Sequence, residues 1–248
     1  MRQKAQTRRD MLIQTGLSTS LMACGQAANA FTGTSGEALN DVLRRVDINT
    51  SNLRSEQLSI AHWRTALDEI YSQIDLADLL GDMDFERLAQ ETGYAGHGVA
   101  TQPLHLSAPD GGRLSFVPKL FAVGQGRAII PHGHDNMVSA HLTLSGQFHL
   151  RQYDKVSVED NSLLITPSVD THIRPGDVSS ISEHEDNIHW FIAEENAHTF
   201  DVIVLGLNEN SGHDFDIYNL DMNMSERVGN DVFRVPRLSV SDALRLYG

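Results

Sequence analysis

The chain of 248 residues has one cysteine, Cys24, so it cannot form an intramolecular disulfide. Processing after Ala30 would leave no cysteine at all, which excludes a thiolate metal ligand and a cysteine nucleophile. Basic residues are also scarce. Lys and Arg number 19 against 33 Asp and Glu, a formal net charge of −14, and so few cations argue against binding nucleic-acid phosphates. Beyond the N-terminal segment no stretch approaches the ~18 apolar residues that a bilayer span needs, and no internal repeat is visible. What is present, 40% hydrophobic and 21% charged residues, is ordinary for a globular protein. The length fits one large domain or two small ones.

Residues 1–30 read as a secretory signal rather than as part of the fold: basic residues, a modest apolar run, then small residues. Thr7-Arg8-Arg9-Asp10-Met11-Leu12 resembles the twin-arginine export consensus. Two processing sites compete. Leu21-Met22-Ala23-Cys24 resembles a lipobox, which would place a lipid anchor on Cys24; Ala28-Asn29-Ala30 resembles a small-x-small cleavage site. The expected location is periplasmic or exported, with membrane attachment only through a lipidated Cys24. Export of an already folded chain suits a protein that acquires its metal inside the cell.

Residues 31–97 read as a linker and a helical extension. The stretch 31–52 is expected to be a linker running into a short helix. Ile60, Trp63, Leu67, Ile70 and Ile74 recur at three- and four-residue spacing, the pattern of an amphipathic helix. Helical character continues from Asp75 to Thr92 and stops at Gly93. From Gly98 onward short alternating runs follow one another at 101–107, 113–122, 127–132, 138–144, 148–153, 161–166, 171–173, 188–193 and 200–205, separated by Gly-rich turns. This rhythm predicts an all-β sandwich or barrel over 98–222. Residues 223–248 are expected to form a C-terminal segment with one short helix, opened by the capping pattern Ser239-Val-Ser-Asp242.

The chemistry concentrates in residues 126–146. After Gly126 come five residues and then His132-x-His134. In a strand, residues i and i+2 share a face, so two imidazoles stand side by side, as a metal requires. Pro131 fits the start of such a strand, where a missing N–H does least harm. Beyond it Val138, Ala140, Leu142 and Leu144 alternate with Ser139, His141, Thr143 and Ser145, and after Gly146 a strand returns.

The glycine and histidine spacing resembles the first motif of the cupin superfamily, and Pro175-Gly176-Asp177 resembles part of the second. The resemblance implies a double-stranded β-helix, a jelly-roll barrel. Ser139 stands where that motif usually has Glu. A closer resemblance lies in Asp186-Asn187-Ile188-His189-Trp190-Phe191-Ile192-Ala193, which is similar to the Gly-Asn-Ile/Leu-His-x-Phe-Thr-Ala signature of the cysteamine dioxygenase and plant cysteine oxidase family. Asp186 and Ile192 depart from it. Ile130-Pro131, Met137, Gly146 and Tyr153-Asp154 also fit, and that family likewise lacks the Glu.

This resemblance, covering 126–218, implies a mononuclear Fe(II) site on His132, His134 and His189 that oxidises a small thiol with O₂. Three neutral imidazoles leave open positions and the full cationic charge, so a bound thiol would ionise and be carried to its sulfinate. Asp201, twelve residues after His189, matches the family's pocket aspartate and is expected to hold a substrate ammonium; a strand-edge carboxylate is the plainer reading. Tyr218 falls near the family's Cys-x-Tyr and is expected, with Asp201, to be a catalytic residue of the pocket; Asp216 replaces the cysteine and excludes a crosslink. A second pocket tyrosine would fall on Leu207. His141 reads as a hydrogen-bonded structural histidine or as a neighbour of the ligands. His184 competes with His189 as third ligand, and the flanking matches favour His189.

Three functions compete. The first is an exported thiol dioxygenase acting on an amine-bearing thiol or an N-terminal cysteine. The second is a cupin metalloenzyme for a non-thiol substrate such as a small carboxylate or diketone. The third is a non-catalytic periplasmic metal- or ligand-binding cupin.

Overall fold

The computed structural model describes residues 36–183, 185–212 and 215–248. The signal, lipobox and cleavage readings at 1–30, and His184, lie outside them. Four helices come first: α1 (Glu37–Arg54), α2 (Ile60–Ser72), α3 (Leu76–Asp82) and α4 (Phe85–Thr92). Residues 31–35 of the expected linker lie outside the described residues, and the short helix expected after it is corrected. Residues 37–54 form an 18-residue helix whose Leu39, Val42, Leu43, Val46 and Leu53 are all buried. Ser59 caps α2 by accepting from the His62 N–H. Trp63 is buried in this layer, and its indole N–H donates to Thr50 at 3.1 Å. Gly93 ends α4 at φ 59°, as expected.

The strands are β1 (Val99–Pro103), β2 (Val117–Val123), β3 (Ala128–Asp135), β4 (Met137–Ser145), β5 (Phe148–Val158), β6 (Ser162–Ile173), β7 (Val178–Ile181), β8 (Ile188–Ala193), β9 (Ala197–Leu205), β10 (Asp216–Leu220), β11 (Glu226–Arg227) and β12 (Phe233–Leu238). They build two sheets, one ordered β1-β2-β9-β4-β7 and the other β10-β3-β8-β5-β6-β12-β11. All pairings are antiparallel. From β2 to β9 the chain alternates between the sheets except at the β5–β6 hairpin, so that β2-β9-β4-β7 faces β3-β8-β5-β6. That order is a jelly roll, the double-stranded β-helix architecture. Two runs read separately, 161–166 and 171–173, are one strand, β6.

The alternation in β4 has an inverted sense. Its apolar residues Val138, Ala140, Leu142 and Leu144 join Leu120, Phe200, Val202 and Val204 in a core shared with α1–α4. The helices therefore cover the outer face of the five-stranded sheet. The opposite face, with Ser139, His141, Thr143, Thr199 and Asp201, is buried between the sheets. Apolar residues of the interior, including Phe121, Ile129, Met137, Phe148, Phe191 and Ile203, fill the rest.

The C-terminal segment also departs from expectation. Residues 223–248 supply β12 as well as α5 (Val240–Tyr247). β12 pairs with β6 and with β10, so the second sheet closes on itself around Leu163, Ile165, Ile188, Tyr218, Leu220 and Val235. α5 packs Ala243 and Tyr247 against Ile130 of β3.

Candidate metal centre

Two strands position the three histidines. His132 on β3 and His189 on β8 are direct cross-strand partners, and His134 follows on the same face of β3. The parity of β3 depends on a bulge. The register runs Ile129 opposite Phe191 and then His132 opposite His189, which places one extra residue on β3. Ile129 faces the interior and Ile130 faces α5. Strict alternation would then turn both histidines outward; the bulge at Ile130–Pro131 returns them inward. Pro131 thus lies within the strand, not at its start. The bulge is a place where its missing N–H is tolerated.

The imidazoles converge through their Nε2 atoms. His189 Nε2 lies 3.0 Å from His132 Nε2 and 3.4 Å from His134 Nε2. Ligand nitrogens about 2.1 Å from one cation stand roughly 3.0–3.4 Å apart at octahedral to tetrahedral angles. The far nitrogens of two of them are spoken for. His132 Nδ1 donates to Ile130 O at 2.7 Å, and His134 Nδ1 donates to Met137 Sδ at 3.1 Å. These contacts fix the tautomer that leaves Nε2 as a lone pair facing its neighbours. His189 Nδ1 has no partner.

Burial keeps the cluster neutral. All three residues are at most 7% exposed. Desolvation lowers His132 to about 4, and it drives His134 and His189 well below the ordinary histidine value; the neighbouring imidazoles add to this. Three neutral lone pairs aimed at one point repel unless a cation lies between them. The donor set therefore fits a first-row transition ion. Among the described residues these three are the only such group, and no carboxylate belongs to it.

The back of the site is held by polar contacts across the β3–β8 wall. Asn187 is fully buried; its amide donates to His134 O and Ser182 O, both at 2.8 Å. Tyr218 is the register partner of Gly133, so it stands on the face of β3 opposite the imidazoles. Its hydroxyl donates to Asn187 Oδ1 and reaches His134 O at 3.4 Å. This corrects the expectation that Tyr218 serves the pocket: it braces the outer side of the ligand strand. A Cβ at Gly133 would run into the Tyr218 ring and come within 2.8 Å of Asn187 Oδ1. Asp186, where the dioxygenase signature has Gly, adopts φ 52°, the region that glycine enters without steric cost. Its carboxylate pairs with Arg64 of α2, which also binds Glu185 at 2.8 Å and Ser180 Oγ at 2.9 Å.

A second polar group lies beside the histidines. His141 stacks edge-on against His189 with ring centres 5.0 Å apart. Its Nδ1 donates to Asp201 at 2.8 Å, and its Nε2 meets the Ser139 hydroxyl at 3.0 Å. Asp201 is fully buried, not a strand-edge carboxylate, and also accepts from Thr199 Oγ1 at 2.6 Å. Both of its oxygens are thereby engaged. Leu207, the position of the family's second tyrosine, packs instead against the helical core. A mostly apolar cavity between β1, β3, β10 and α5 is lined by Val99, Ile129, Ile217, Leu244, His132 and Asn219.

No protein-family model matches the chain, and no curated protein matches it. Solved structures do. KdgF from Halomonas sp. is similar over 43% of this chain and 77% of its own, at 14% identity and a TM-score of 0.31. A cupin superfamily protein from Desulfitobacterium hafniense is similar over 47% of this chain and 85% of its own, at 15% identity and a TM-score of 0.32. The ribosomal oxygenase YcfD from Escherichia coli is similar over 35% of this chain and 22% of its own, at 20% identity and a TM-score of 0.29. Likeness at this level carries no statement about chemistry.

Proposed function

We propose that this chain is an Fe(II)-dependent thiol dioxygenase that converts a small thiol and O₂ to the sulfinic acid and works outside the cytoplasm. One observation carries the reading: three neutral imidazoles converge with no carboxylate among them. A ferrous ion held there would keep its charge, ionise a substrate thiol and supply the electrons that activate O₂, with both oxygen atoms ending on sulfur. His132, His134 and His189 are the holding residues. Asp201 keeps the Nδ1–H of His141 occupied, which leaves His141 Nε2 and the Ser139 hydroxyl to take up or return the thiol proton beside the site. Phe191, Phe148 and Ile129 keep the interior dry. The cavity that His132 helps to line is the proposed approach of the substrate.

The export half of the reading rests on Arg8-Arg9 and the run that follows. The His141–Asp201 pair favours a second reading, a metalloenzyme that moves a proton on a non-thiol substrate such as a diketone. Oxygen uptake by iron-loaded protein separates the two. A small thiol should stimulate uptake and yield a sulfinate that mass spectrometry detects. If no thiol in a broad panel does so while a diketone does, the second reading holds. If the protein retains no metal after loading and desalting, both fail.

A further inference from the structure

Among the described residues Lys119 is the one Lys or Arg side chain buried in the barrel wall, and neither the metal site nor the proton pair uses it. It stands on β2 with Val117, Phe121 and Val123, the residues of that strand that pack into the interior. It is 5% exposed. In register it sits directly opposite Asp201 of β9, which in turn sits opposite His141 of β4. One inward row therefore reads Lys119, Asp201, His141 and ends on His189.

Asp201 faces that ammonium in register, but its oxygens turn to His141 and Thr199 and make no ion pair with it. Among the described residues no carboxylate lies within ion-pair distance of Lys119. On its other flank the register partner is Pro103, which has no side-chain donor or acceptor. A buried ammonium without hydrogen bonds is costly, and such groups acquire a counter-charge. Burial also lowers its pKa to about 8, with Asp201 opposing the shift.

We propose that Lys119 anchors an anionic group, a carboxylate, on the molecule that enters the barrel. The inference deepens the thiol dioxygenase reading and rests on it only for the sulfur end of that molecule. It reverses the expected polarity of the substrate. Each Asp201 oxygen already accepts a hydrogen bond from within the protein, whereas the Lys119 ammonium keeps its donors for a ligand, so the preferred thiol carries a carboxylate in place of an amine.

The test is binding, measured anaerobically by calorimetry on iron-loaded protein, so that turnover plays no part. The probes are 3-mercaptopropionate, 2-aminoethanethiol, 1-propanethiol and propionate. The expected result is that 3-mercaptopropionate binds at least tenfold more tightly than the other two thiols. Lys119→Met should weaken it roughly ten- to a hundredfold and leave 1-propanethiol unchanged, while Lys119→Arg retains the preference. Iron content and circular dichroism check that both variants are folded. In wild-type protein alone, 3-mercaptopropionate should slow acetylation of Lys119, read by peptide mass spectrometry. A preference for 2-aminoethanethiol, or a carboxylate preference that survives Lys119→Met together with unprotected Lys119, overturns the anchor and leaves the dioxygenase reading standing. If propionate binds through Lys119 but no thiol gains affinity over it, the anchor stands and the thiol reading fails.

Discussion

At the scale of single residues, the histidines make the sharpest claims. His132→Ala removes one of three ligands and is expected to lose most bound iron; atomic absorption on the loaded variant reads this, and unchanged content would refute the assignment. Tyr218→Phe removes a hydroxyl from the outer wall only. It should cost about 1 kcal/mol in urea unfolding while iron content stays near wild type. Gly133→Ala should do both kinds of damage, since its methyl meets the Tyr218 ring and Asn187; about 1–3 kcal/mol of stability and a large part of the iron should go. The depressed histidines also set a pH window. Their folded values lie below the ordinary value of 6.5, so the unfolded chain binds protons first. Metal-free protein should be stable above about pH 6.5 and lose roughly 1.4 kcal/mol per pH unit for each such group as the pH falls toward 4. Thermal melts across that range check it.

At the scale of elements, the path from α2 to the site runs through Arg64. Its guanidinium ties the helix to Ser180, Glu185 and Asp186, the segment that delivers Asn187 and His189. Arg64→Met should keep the helix and loosen that segment, with a several-fold weaker hold on iron in a competition with a chelator. The same scale shows what could be read from residue order. The His132-x-His134 pair was legible because side-chain parity over three residues is local. His189 was legible from the string around it. The bulge was not, since it exists only in the register of β3 against β8. The position of Tyr218 was hidden for the same reason: pairing with Gly133 decides its face. In β4 the alternation was plain, but which face looked inward depended on helices far away in sequence. Lys119 left a signal that went unread, a lysine in phase with inward apolar residues of Val117–Val123.

At the scale of the whole molecule, the helices and barrel form one folding unit, because α1–α4 cover the apolar outer face of the five-stranded sheet. A chain beginning at residue 93 should therefore be recovered as aggregate, or bind a dye for exposed apolar surface, where the full chain does neither. The export proposal belongs here too. Replacing Arg8 and Arg9 with Lys should leave the protein in the cytoplasm of its host; undiminished export of the double variant would sink that reading. The barrel class was readable from the strand rhythm, but β12 was not. Pro236 argues against a strand where it stands, and only pairing with β6 and β10 makes one.

The closure of the second sheet by β12 has a consequence in time. β10 flanks the ligand strand β3, β12 locks β10 to β6, and α5 seals Ile130 beside the bulge. These last pairings join residues far apart in sequence, which makes them slow to form. While the C-terminal residues are still being synthesised, β3 lacks its outer support and His132 lacks the packing that holds the bulge. The three-histidine cluster is therefore expected to be complete only after those residues have folded back. A chain truncated before β12 should accordingly bind metal far more weakly than the full chain, which a competition with a chelator would read.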